Sequence, residues 1–177
     1  MTPTQPKLDT AGQSWIGPEG VIQTIATADT LDAPGLKALF AYWTARRGSR
    51  FAPTRAEIEP RGMVALLPWI HLYDAIDGGQ RFLVRLAGAS ITENAGAQFV
   101  GSVFDETCPE LVIRRAVSAM HRVVEMKLPI RSYAARFASE KPSFKAAENL
   151  WLPLSDDGAS VDKILACSVL TVANELR

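Results

Sequence analysis

Two apolar segments, "WIHLYDAI" (69–76) and "RFLVRLAG" (81–88), flank the turn sequence "DGGQ". Glycine tolerates the positive φ of a tight turn, so the three together predict a β-hairpin. Pairing Ile76 with Arg81 sets Leu72 opposite Arg85. Trp69, His71, Tyr73 and Ala75 then share one face with Phe82, Val84 and Leu86, and Ile70, Leu72, Ile76 and Leu83 take the other. Both faces are mainly apolar. A sheet wetted on one side alternates more cleanly, so the hairpin belongs to a sheet covered on both sides.

The residues before it offer one cover. Pro34 suits a first helical turn, Leu36, Leu39, Phe40 and Trp43 recur at helical spacing, and Gly48 stops the pattern, which predicts an amphipathic helix over 34–47. "FAPTRAEIEP" (51–60) follows. Its prolines disfavour helix and push the preceding residues toward extended geometry, so it reads as a connector, with a short helical turn over 61–67. Residues 1–31, rich in Pro, Gly, Thr and Gln, read as a tail expected to be flexible, with a short packed element around Val21 to Ile25.

After the hairpin come short Gly-broken segments and a helix over 110–127. Its apolar arc holds Val112, Ile113, Ala116, Val117, Met120, Val123 and Val124, with Arg114, Arg115, Ser118, Arg122 and Glu125 opposite. "IRSYAARFA", "FKAAENLWLPL" and "KILACSVLTVA", joined by "SEKPS" and "SDDGASVD", read as three more strands. The whole is an α+β domain spanning 32–175.

Nineteen basic and nineteen acidic residues cancel, which removes the long-range field that draws a chain to nucleic acid or an anionic membrane. Arg46, Arg47, Arg50, Arg55 and Arg61 crowd together in sequence and read as solvated faces. Cys108 and Cys167 form no metal-ligand spacing, and no run approaches the roughly 18 apolar residues of a membrane span. No secretory leader is evident, so a cytoplasmic location is expected. G-x-S-x-G, P-loop and H-E-x-x-H patterns are absent, so no catalytic or metal residue is assigned and no enzyme is expected.

Further along the chain, "YWTARRGSRFAPTRAEIEP", "LLPWIHLYDAI", "FLVRLAGASITENAG" with "FVGSVFDE", and "ENLWLPLSDDGASVDKILA" carry a family likeness. Over about residues 34–172 the chain resembles a bacterial PAS-like family common in alphaproteobacteria, its most specific elements being P-x-R-x-x-I-x-P and L-P-L-S-x-D-G. The resemblance implies the PAS fold: a five-stranded antiparallel sheet with helices on one face, here with an additional N-terminal helix. It also implies signal input through a small ligand held between helices and sheet, dimerisation, or docking of a regulatory protein partner, without an output domain in these residues.

The ligand-binding candidates on that basis are Arg85, Tyr73, Phe99, Met120, Tyr133 and Glu148. Arg85 lies on a face expected to be covered. Its guanidinium needs a partner, either Asp74, Glu57 or Glu59 in an ion pair or an anionic ligand. Glu148 shares a strand face with Ala146, Leu150, Leu152 and Leu154, with Arg131 or Tyr133 as neighbours. Phe82, Phe99, Phe104, Phe137, Phe144 and Trp151 are the aromatics expected in the core or around a cavity. Haem-binding PAS domains take an iron ligand from the helix that carries His121, but this residue falls outside the apolar arc. Cys108 sits in "DETCPE", unlike the reactive-cysteine motif of flavin photosensors. No cofactor is therefore expected. The reading is a cytoplasmic, homodimeric sensory module for a small apolar or anionic ligand; the alternatives are a pure interaction adaptor, or a small-molecule carrier or enzyme.

Overall fold

Pro34, with Ala33 in extended geometry before it, starts a helix that runs to Arg47 and ends at Gly48, whose φ is 56°. This helix lies on one side of a sheet that the rest of the chain builds. The computed structural model describes residues 13–95, 98–134 and 144–172. In chain order its elements are β1 (Ser14–Ile16), β2 (Ile22–Ile25), α1 (Pro34–Arg47), β3 (Ile70–Ile76), β4 (Arg81–Ala87), α2 (Ala89–Ala95), β5 (Val103–Phe104), α3 (Leu111–Met126), β6 (Ile130–Ala134), β7 (Phe144–Leu154) and β8 (Lys163–Val172). Short 3-10 turns occupy Pro18–Gly20, Arg55–Glu57, Pro60–Trp69 and Asp77–Gly79.

The strands form one antiparallel sheet in the order β1-β2-β6-β7-β8-β3-β4-β5. The five strands read from the sequence, β3, β4, β6, β7 and β8, are its contiguous centre. Three short strands extend the edges. Two of them come from the segment read as a tail: β1 pairs with β2, and β2 pairs with β6 through Ile22–Tyr133 to Ile25–Ile130. The linker "SEKPS" and Phe137 lie outside the described residues.

The hairpin forms with Ile76 opposite Arg81, as its turn dictates. A β-bulge then intervenes between Leu72 and Tyr73: Tyr73 pairs with Val84 but Leu72 pairs with Leu86. The extra residue is Arg85. The pairing of Leu72 with Arg85 expected from strict alternation is thus replaced, because a bulge sets two residues of one strand against one of the other.

Two clusters of buried side chains lie on opposite faces. Leu36, Leu39 and Trp43 of α1 pack with Ile58 and Met63 onto Ile70, Leu150, Leu152, Leu154, Leu165 and Cys167. On the other face Ile113, Val117, Ala119, Met120 and Val123 of α3 pack onto Tyr73, Phe82, Val84, Ile130, Trp151, Ile164 and Ala166. α3 therefore covers one face of the hairpin, whereas on the other face the α1 cluster reaches Ile70 and Leu72 of β3 and leaves Arg81 and Arg85 of β4 exposed. Phe51 of the connector packs against both clusters at one end of the sheet.

The connector is fastened by its own charges. The Thr54 N–H donates to Glu57 (2.8 Å) in a capping box, and Arg50 grips the same carboxylate with two nitrogens at 3.0 and 2.8 Å. The Arg55 N–H donates to Asp156 (3.0 Å), and the Ser155 N–H to the Pro53 carbonyl (3.0 Å). Thus the P-x-R-x-x-I-x-P and L-P-L-S-x-D-G segments, about a hundred residues apart in sequence, meet in space.

Candidate functional site

Strand register places a row of neutral polar groups on the α3 face. Gln23, Ser132, Asn149 and Ser168 are successive cross-strand partners through β2, β6, β7 and β8. The next row is Ile25, Ile130, Trp151, Ala166 and His71, and the one beyond it contains Ile164, Tyr73 and Val84. A band of hydrogen-bonding side chains therefore borders an aromatic and aliphatic floor. Side chains link the rows: the Trp151 Nε1–H donates to Ser132 Oγ (2.9 Å), and Asn149 Nδ2 reaches the same oxygen (3.3 Å).

His71 sits between two hydroxyls, with Nδ1 3.0 Å from the Tyr73 phenol and Nε2 3.2 Å from Ser168 Oγ. Burial pulls its imidazole down to about 4 and raises the Tyr73 phenol above its ordinary value. All three groups are neutral near pH 7. A neutral imidazole carries one N–H, so the chain runs in one of two directions: one frees the Ser168 O–H to donate to a third group, the other frees that of Tyr73. Tyr73 is also flanked by the Phe104 and Trp151 rings (centroids 6.1 and 6.2 Å away), and Phe99 meets Phe104 edge-on.

The six residues selected from the sequence fall into three places. Tyr73 and Met120 are buried in the α3-face cluster, with Phe99 packed at its margin. Glu148 and Tyr133 are cross-strand partners on the α1 face, so the sheet separates them from that cluster. Arg85 lies outside both. Its side chain is 58% exposed and its Nε donates to Asp74 at 2.5 Å. The expectation of a covered Arg85 is corrected: it shares a face with Asp74 and Leu83, but the cover on that face stops short of β4, where Arg81 is exposed as well, and its partner is Asp74 rather than Glu57 or Glu59.

Glu148 is only 6% exposed and is saturated by protein donors: the N–H groups of Asp32 (3.0 Å) and Ala33 (2.8 Å), and Arg131 Nε (2.5 Å). Burial raises its pKa, but these donors together outweigh burial and leave it lowered. The carboxylate thus fixes the start of α1 to β7. Tyr133 lies beneath the Arg131 guanidinium, 5.3 Å from the ring centroid.

The residues missed by sequence reasoning are His71, Ser132, Asn149 and Ser168. The one available signal was a polar residue in a strand whose neighbours at i±2 are apolar or aromatic, as Ser132 shows between Ile130 and Ala134. On the outer side of α3, Pro18, Glu106, Arg114, Ser118, His121, Arg122 and Glu125 line an open groove of about 390 Å3. Among the described residues no group of three or more His, Cys, Asp or Glu is placed to hold a metal, and no helix is long and apolar enough to cross a membrane.

In comparisons with known proteins, a family model described as PAS domain matches residues 31–169. No curated protein and no solved structure matches.

Proposed function

The chain belongs to the PAS domain family, a family of sensory and regulatory modules, and on that premise we propose that it is a cytoplasmic, non-catalytic sensor for a small ligand held between α3 and the sheet. The observation that carries this reading is His71, held neutral between Tyr73 and Ser168 where a polar row borders an aromatic and aliphatic floor. Sites of this composition take an apolar body and fix its orientation with a few hydrogen bonds. An apolar ligand with one hydrogen-bonding edge fits better than an anion, because Arg85, the expected anion anchor, lies outside the cluster. Tyr73, Phe99 and Met120 would contact it, while Tyr133 and Glu148 serve the α1 face.

The output of such a module is a change in protein contacts, with a second copy of the chain or with a regulatory partner. Its physical basis would be two arrangements of α3 relative to the sheet, one of them favoured by the ligand. Phe51 packs on both clusters, and Lys127, the residue capping α3, lies over the Phe51 ring at 5.7 Å. That contact gives a short route from α3 to the connector and α1.

A second reading is a ligand-free interaction module. Val117, Ala119, Met120 and Val123 are fully buried against the sheet, whereas Val100, Val103 and Val112 are exposed. Native mass spectrometry with an absorption spectrum on the purified protein separates the two. A retained mass that is lost in Met120→Trp, which overfills the cluster, supports the sensor; an apo mass in both proteins favours the adaptor.

A further inference from the structure

His121, half-buried at the flank of α3 beside the hairpin, presents both ring nitrogens to acceptors. Nδ1 lies 3.2 Å from Glu106 Oε1, in the loop leading from β5 into α3, and Nε2 lies 3.0 Å from the backbone carbonyl of Gln80, at the β3–β4 turn. A neutral imidazole has one N–H and one lone pair, so it satisfies only one of these acceptors; the doubly protonated ring satisfies both. The third contact points the same way. The Phe82 ring lies 5.4 Å from the imidazole, and an aromatic face favours a cation over a neutral ring.

From this geometry we propose that His121 is a proton-operated latch between α3 and the 105–110 loop. Charged, it joins the loop, the hairpin turn and the helix. When neutral, the ring keeps its N–H on the fixed Gln80 carbonyl and turns a lone pair toward the Glu106 carboxylate. Glu106 is exposed on its loop and swings into water. Several other charged groups around the ring are already engaged. Arg81 on the hairpin is paired with Asp77, and Asp105 on the loop is held by Thr107. On α3, Arg114 binds the Cys108 and Pro109 carbonyls and Arg122 binds Gln23, while Glu125 shares the groove.

The loop begins directly after Phe104, which packs on Tyr73 and Phe99. Release of Glu106 therefore loosens the flank of the α3-face cluster. This inference does not depend on a ligand being bound there.

The test is nuclear magnetic resonance on the full-length 15N-labelled protein. The imidazole nitrogens of His121 report its protonation across a pH series, with His71 as the neutral internal control. Amide exchange at Thr107 and Cys108, corrected for its intrinsic pH dependence, reports the loop. Protection is expected to fall by about threefold or more over the interval in which His121 loses its proton. That fall should vanish in both His121→Gln and Glu106→Gln. Protection that stays level while His121 titrates, or a fall that persists in either variant, overturns the latch.

Discussion

Arg131 on β6 donates its Nε to Glu148 on β7 at 2.5 Å, and its Nη2 reaches Asp32, just before α1, at 2.7 Å. The pair thus ties an edge of the family's sheet to the helix that covers it. Replacing Glu148 by Ala leaves the Arg131 Nε and the N–H groups of Asp32 and Ala33 without their acceptor, and is expected to cost about 3 kcal/mol in urea unfolding.

The same carboxylate sets a pH dependence. Its pKa is lower folded than unfolded, so its stabilisation is complete above the ordinary carboxylate value and is lost as pH falls through the folded one. Unfolding midpoints of wild type and Glu148→Gln should therefore converge as the pH is lowered below about 4.

Arg85 gives the opposite case. Its pair with Asp74 is largely solvated, and exposed pairs contribute little. Arg85→Ala is expected to change the free energy of unfolding by less than about 1 kcal/mol, and to leave any ligand retained in native mass spectrometry in place. Loss of that mass in a normally folded variant would restore Arg85 as an anchor.

Trp43 is buried and donates its indole N–H to the Pro153 carbonyl at 2.9 Å. Trp43→Phe keeps most of the apolar area but orphans that carbonyl, for an expected loss of about 1–2 kcal/mol by chemical denaturation.

His71 predicts a loss of stability at mildly acidic pH. Its folded pKa, about 4, lies below the ordinary histidine value, so between the two the unfolded chain binds a proton that the folded chain refuses. Stability then falls as pH drops, by at most about 1.4 kcal/mol per pH unit, and is unaffected by this group above the unfolded value. His71→Gln should flatten that part of the stability curve. An unchanged slope would assign the acid sensitivity to other groups.

The parts of the fold legible in the sequence are those set by local chemistry. Pro34 and Gly48 bracket α1, the apolar arc of α3 buries Val117, Met120 and Val123, and the "DGGQ" turn forms its hairpin. Gly79 also has a reason that the turn alone does not reveal: its φ is 85°, and a Cβ there would lie 2.5 Å from Val124 on α3. Arg85 was misplaced because the cover that α1 gives its face of the sheet stops short of β4, an extent that the alternation within the hairpin does not reveal. β1 was obscured by the Pro and Gly around it, and β2 was legible only as a short packed element around Val21 to Ile25. Their positions depend on Ile22–Ile25 finding β6, more than a hundred residues later. The polar row was illegible for the same reason. Ser132, Asn149 and Ser168 become neighbours only when three strands lock into one register.

β8, the last described strand to be synthesised, lies in the middle of the sheet between β7 and β3. The β3–β4 hairpin and the β6–β7 pair have no direct ladder to each other; each is joined to the whole through β8. On the ribosome these two halves must wait, with their apolar faces open, until Lys163–Val172 emerges, and only then does either core close. Pairings of such long range slow folding and leave the waiting strands open to aggregation. The nascent chain is therefore most in need of chaperone protection in the interval just before β8 appears.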